Sequence, residues 1–175
     1  MRQCFDELTI HTRGHSMHLI TQAVGGTIQH SGIQQGICQL SCLHTSASLV
    51  VQENASLDVQ TDLLAFLDHL APMEAGRYTH DLEGLDDMPA HLKTVLTQTH
   101  LSLSIRHGQL VLGQWQGIFY WSIDSRDPIV GFRCTSSVAI NFCLQACQEL
   151  WPVWFQRVVL IWPLVAQDLW PRAPQ

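Results

Sequence analysis

The sequence predicts one α+β domain of mixed strands and three helices, followed by a tail of different character. Strand-like and helix-like segments follow one another without the regular βαβ alternation of a doubly wound sheet. The 175 residues suit one domain and would cramp a second. A hydrophobic content of 46% supports a real core and argues against disorder. The expected domain covers residues 1–121, truncated before a final strand, and the expected tail covers 122–175.

Arg2 to Thr12 alternates enough for a strand, which Arg13-Gly14 breaks. His18 to Ile20 is short and apolar, and Thr21 is the expected cap of a helix running toward His30. Gly25-Gly26 weakens that helix by about 1 kcal/mol per glycine relative to alanine. Gly36 to Leu43 reads as a buried strand, with Cys38 and Cys42 on one face, and Ala47 to Gln52 continues it. Ser56 caps the next helix, which runs to about Leu70 and stops before Pro72. Its expected inner face is Val59, Leu63, Leu64, Phe66, Leu67 and Leu70.

Residues 73–87 form an acidic loop, and Asp87-Met88-Pro89 is a helix start with Asp as cap and Pro in the first turn. Met88, Leu92, Val95 and Leu96 are the expected buried stripe of that helix. Leu101 to Ile105, Gln109 to Leu112 and Trp115 to Trp121 read as strands, with a turn at His107-Gly108.

A net charge of −6, with nine Lys and Arg and a single lysine at Lys93, leaves no electrostatic footprint for nucleic acid or anionic membranes. No apolar run reaches the roughly 18–20 residues of a membrane span. The N-terminus lacks the apolar run of a signal peptide, so the expected location is cytoplasmic. The six cysteines lack a paired CxxC framework and read as reduced, mostly buried thiols.

Three clusters could carry chemistry. His44-Thr45-Ser46-Ala47-Ser48 offers an imidazole and three hydroxyls for an anion or substrate, or a strand end that satisfies its own backbone. His80, Asp81, Glu83, Asp86, Asp87 and His91 fall within twelve residues. Such groups repel or stay solvated unless a cation joins them. Two imidazoles and a carboxylate suit a divalent transition metal, zinc above all, although the spacing is no HExxH-type pattern. The alternative is a solvated acidic loop. Gly113-Gln114-Trp115-Gln116-Gly117 suggests close backbone approach, with Gln116 able to donate and accept hydrogen bonds.

Taken together, HTSASLVVQENA, RYTHDLEGLDDMPAHLKTVLTQT and LGQWQGIF resemble the YjbQ family over about residues 5–121. That resemblance implies a compact α+β protomer in a homotrimer, with sites near subunit boundaries. It implies a pocket using His44, His80 and His91 as metal or substrate ligands, with Glu83, Asp86 and Asp87 as acidic supports and Gln116 as a substrate contact. It also implies a secondary thiamine-phosphate synthase activity, which joins a pyrimidine-methyl diphosphate to a thiazole phosphate. The expected cofactor is a divalent metal, Zn or Mg, and the expected partner is a small phosphorylated molecule. A non-catalytic metal- or ligand-binding homotrimer is the alternative.

The tail departs from this pattern. The family continues with Glu-His-Arg and a basic final strand, whereas this chain reads Trp121-Ser122-Ile123-Asp124. The codons TGG-GAG-CAT-CGA encode Trp-Glu-His-Arg. With one G removed they read TGG-AGC-ATC-GA, which gives Trp-Ser-Ile-Asp. Shifting Asp127 to Gly131 back in the same way permits Pro-His-Arg-Arg. A one-base deletion near codon 122 is therefore the expected origin of the tail, with a genuine helical appendage or peripheral membrane anchor as the alternative. The expected consequences are an unpaired sheet edge, exposed apolar surface, lost positive charge and impaired activity.

Overall fold

The computed structural model describes residues 3–12 and 14–123 fully, and 135–143 as backbone. In chain order the described elements are β1 (Gln3–His11), β2 (Ser16–Leu19), α1 (Thr21–Ser31), β3 (Gln35–Cys42), β4 (Ala47–Glu53), α2 (Leu57–Leu70), α3 (Asp87–Leu96), β5 (His100–Arg106), β6 (Gln109–Leu110), β7 (Gln116–Ser122) and β8 (Thr135–Cys143). The fold is α+β, as the irregular alternation predicts.

Two antiparallel sheets form, one of order β1-β8-β3-β5-β6 and one of order β2-β7-β4. The main core lies between them. Cys38, Leu40, Cys42, Leu101 and Ile105 face it from the larger sheet, and Ala47, Leu49, Ile118 and Tyr120 from the smaller. Val24 and Ile28 of α1 complete it. A second cluster joins the other face of the small sheet, through Trp121 and Ile123, to Leu67 of α2 and Ala90 of α3. The small sheet is thus the middle layer, and α2 and α3 cover its outer side. Burial pushes the Cys38 thiol up to about 12, which keeps it an inert core side chain.

Several expectations change. Ile20, not Thr21, precedes α1 as its cap. The Thr21 hydroxyl instead accepts from the Ile118 N–H of β7 at 2.8 Å, fastening α1 to the small sheet. Ser56 caps α2 as expected, its hydroxyl accepting from the Asp58 N–H at 3.3 Å. Of the inner face expected for α2, only Leu67 is buried; Leu63 and Leu64 pack beside it, while Phe66 and Leu70 are exposed. One side of the helix meets the three-stranded sheet, so an apolar stripe wider than that contact is left outside.

The domain also does not stop at residue 121. Strand β8 fills the gap between β1 and β3, with Ile140 opposite both Asp6 and Leu40 in register. Apolar Val138, Ile140 and Phe142 alternate with smaller or polar residues, the period of a strand. That alternation belongs to the amino acids present, so this segment pairs whatever the origin of its reading frame. The edge expected to be open is closed by residues 135–143. Apart from Ser122 and Ile123, the rest of the expected tail lies outside the described residues.

Candidate metal centre

The loop after α2 turns into α3 at Gly84. There φ is +126°, which favours glycine, and a Cβ would come within 2.8 Å of Asp86 Oδ1 and push that side chain aside. Asp86, rather than Asp87, occupies the cap position, and Asp87 becomes the first helical residue. The positive end of the helix dipole favours a carboxylate there.

The expected apolar stripe of α3 is turned the wrong way. Val95 is 82% exposed and Leu96 is 60% exposed, while Met88 and Leu92 are only half-buried. Among the residues facing inward are Asp87, Ala90 and Lys93, at spacings of three, all with 3% exposure or less. Burial of two charged groups is costly unless both are paired, and both are.

Asp87 meets two imidazoles. Its Oδ2 lies 2.7 Å from His80 Nε2 and 3.3 Å from His91 Nε2. The two rings are 5.8 Å apart and tilted by 48°. One ligand atom from each of the three residues falls within 4.8 Å of the others. His91 Nδ1 lies 3.1 Å from the Thr45 carbonyl oxygen, which can only accept, so this nitrogen carries a proton. In a neutral ring Nε2 then presents a lone pair to the Asp87 carboxylate. Two lone pairs at 3.3 Å repel unless a proton or a cation sits between them.

The arrangement fits a metal chemically. Ligand bonds of about 2.1 Å in a tetrahedral site place donors roughly 3.4 Å apart. The His91–Asp87 pair is already close to this, and His80 would retreat by about 0.7 Å. The imidazoles are about one-third and one-half exposed, so the cluster opens on solvent while the carboxylate behind it is buried. Hydrogen bonding of His91 to a backbone carbonyl fixes its orientation and tautomer, the usual outer support of a metal-bound histidine.

The other expected residues are dispersed. His44 is outside this group: its Nδ1 accepts from the Ser46 N–H at 3.0 Å and lies 3.1 Å from the Ser46 hydroxyl. Its neighbour Thr45 enters instead, through its backbone oxygen. Glu83 is exposed on the loop, and Asp86 is buried beside the helix start. Gln116 opens β7, and its Oε1 accepts from the Gly113 N–H at 2.7 Å. Ser122, at the other end of that strand, pairs with Ala47, two residues from Thr45. Seven strand residues span about 20 Å, so Gln116 and the His–Asp cluster stand at opposite ends of the sheet. Gln116 instead borders a groove of about 500 Å³ of mixed character, lined by Leu49, Val51, Leu96 and Val111 together with Thr97, Gln98 and Ser102.

A second polar cluster escaped sequence reasoning. Lys93 Nζ donates to Asp68 Oδ1 of α2. His15 Nδ1 is 3.5 Å from the same oxygen, and His15 Nε2 accepts from Trp121 Nε1 at 3.3 Å. Burial pushes the His15 ring below its ordinary value, the Lys93 charge adds to this, and Asp68 opposes it. The available signal was the spacing of Lys93, two helical steps of three from Asp87.

A family model described as UPF0047 protein YjbQ-like matches residues 6–141. The chain belongs to the YjbQ-like family. The Synechocystis UPF0047 protein sll1880 is 48% identical over 120 residues, 69% of this chain and 82% of the relative. The YjbQ protein of Salmonella typhimurium is 39% identical over 115 residues, covering 64% of this chain and 81% of its own length. A solved YjbQ/UPF0047 structure from Clostridium acetobutylicum superposes with a TM-score of 0.69 at 30% identity, covering 79% of this chain and 99% of that one. The match of the YjbQ-like model beyond residue 121 takes in most of β8. Among the described residues, no helix is long and apolar enough to cross a membrane.

Proposed function

We propose that this YjbQ-like chain binds a divalent metal through His80, Asp87 and His91, and that the site serves a small phosphorylated ligand. The observation that carries this reading is the convergence of two imidazole nitrogens and a buried carboxylate oxygen within 4.8 Å, with His91 oriented by the Thr45 carbonyl. Two imidazoles and one carboxylate favour zinc over magnesium, which prefers an all-oxygen shell. Bound there, zinc would supply Lewis acidity toward a phosphoryl oxygen or a water. The chain's own parts are to orient His91 through Thr45, to keep a negative charge buried behind the site, and to leave its imidazole side open.

The non-catalytic reading, a metal- or ligand-binding homotrimer, is favoured by a specific observation. Synthase chemistry must neutralise a departing diphosphate. Yet the only lysine is turned inward onto Asp68, and the loop that carries His80 into α3 also carries Asp81, Glu83 and Asp86. Where the resemblance implies Glu and His after Trp121, this chain has Ser122 and Ile123. Ile123 is buried in one apolar cluster with Ala90, the residue before His91. Weak or absent thiamine-phosphate synthase turnover follows. Trimerisation is supported by the exposed Val95 and Leu96 and the groove beside them, and a neighbouring copy offers Gln116 a route to the centre.

The test is titration of chelator-stripped protein with Zn²⁺, followed by a synthase assay with and without the metal. Tight binding without turnover is the expected result. Turnover matching that of an intact relative would replace the non-catalytic reading with the enzymatic one, and failure to bind would remove both.

A further inference from the structure

We infer that Lys93 is a positioning residue for the proposed metal centre, acting through its ion pair with Asp68; this inference rests on the metal reading above. Helix α3 carries two of the three ligands, at its first and fifth positions. Val95 and Leu96 face outward, and the apolar residues the helix buries fully, Pro89 and Ala90, are small, so the charged pair shares in setting its rotation on the sheet. No side-chain hydrogen bond caps its start. Asp87, Ala90 and Lys93 form a buried row that winds about 120° around the helix, with the carboxylate at one edge of the buried face and the ammonium at the other. Lys93 Nζ is held by Asp68 of α2, whose carboxylate reaches solvent.

A rotation of α3 that moved Lys93 off Asp68 would turn Asp87 and His91 through the same angle and shift the carboxylate away from its place between the imidazoles. It would also pull His91 from the Thr45 carbonyl. The ion pair therefore sets where two donors point, although it touches neither. A buried ammonium is a poor source of stability, because desolvation cancels much of the attraction between the charges. Its expected effect is on ligand geometry more than on folding.

That division gives the experiment. Chelator-stripped wild type, Lys93→Met and Asp68→Glu are compared by Co²⁺ titration, by the visible spectrum of bound Co²⁺, and by thermal unfolding without metal. Lys93→Met fills the same space and leaves Asp68 able to reach water. It is expected to unfold within a few degrees of wild type, yet to bind Co²⁺ about tenfold more weakly with an altered spectrum, the size of effect seen for outer-shell partners. Asp68→Glu keeps both charges but lengthens the strut by a methylene, and a smaller loss is expected. It decides the matter should Lys93→Met fail to fold. Affinities within twofold of wild type and unchanged spectra in the folded variants would overturn the positioning role while leaving the centre intact. Failure of wild type itself to bind Co²⁺ would refute the centre and this inference with it.

Discussion

Replacing Asp87 by asparagine separates what this side chain does for a metal from what it does for the fold. In the folded chain the Asp87 carboxylate accepts from His80 Nε2–H at 2.7 Å, and the same oxygen faces His91 Nε2 at 3.3 Å. Asparagine must place either its oxygen or its amide nitrogen there. The oxygen keeps the His80 bond, and the nitrogen can donate to the His91 lone pair. One neutral contact is lost and another is gained or retained, while a buried charge is relieved. The metal-free protein is therefore expected to change by no more than about 1 kcal/mol. Metal binding should respond differently. Four-ligand structural zinc sites bind with about 10–16 kcal/mol, or roughly 3–4 kcal/mol per ligand. Losing the anionic ligand of three is then expected to raise the Zn²⁺ dissociation constant by about 10²- to 10³-fold. Competition titration against a chromophoric chelator reads the affinity, and urea unfolding of the stripped protein reads the stability. Equal Zn²⁺ affinity in Asp87→Asn and wild type would refute the assignment. A stability loss of several kcal/mol with unchanged relative affinity would make Asp87 a structural residue only.

Three further outcomes are expected. His15 titrates below its ordinary value in the fold, so between that folded pKa and about 6.5 the unfolded chain binds more protons. Its contribution is fully present above 6.5 and is lost as pH falls through the folded value. Unfolding temperature should therefore drop between pH 7 and pH 5, less steeply in His15→Gln, and equal slopes would contradict this. Cys38 holds thiolate on the order of one part in ten thousand at pH 8, so mass spectrometry should find it unalkylated by iodoacetamide until denaturant is added. Val95→Glu places a charge on the exposed apolar side of α3 and is expected to yield smaller species by light scattering. An unchanged mass would remove this face from the subunit contact.

Strand positions and helix ends were legible where local chemistry decides them. Alternation marked β1, apolar stretches marked β3, β5 and β7, Ser56 marked the start of α2, and His107-Gly108, both at positive φ, marked the turn between β5 and β6. The inward faces of α2 and α3 were not. Amphipathic reasoning assigns apolar residues to the core, but α3 buries Asp87 and Lys93 and exposes Val95. Only partners distant in sequence make that possible: Asp68 for the ammonium, and His80 across the loop for the carboxylate. The close grouping of His80, Asp87 and His91 within one loop and one helical turn made the centre readable. His44 and Gln116 were grouped with it by resemblance, and their positions depend on how β4 and β7 pair, which spacing does not encode. Strand β8 was missed because the tail was expected to be frameshift-derived, an origin that would say nothing about whether its residues alternate.

The most direct test of the central claim is anomalous diffraction from crystals grown with Zn²⁺, which locates the ion by its own scattering. One peak per chain is expected within about 2.0–2.2 Å of nitrogen atoms of His80 and His91 and a carboxylate oxygen of Asp87. Crystals without a peak at these residues, or with zinc held only elsewhere, such as at His44, would contradict the assignment.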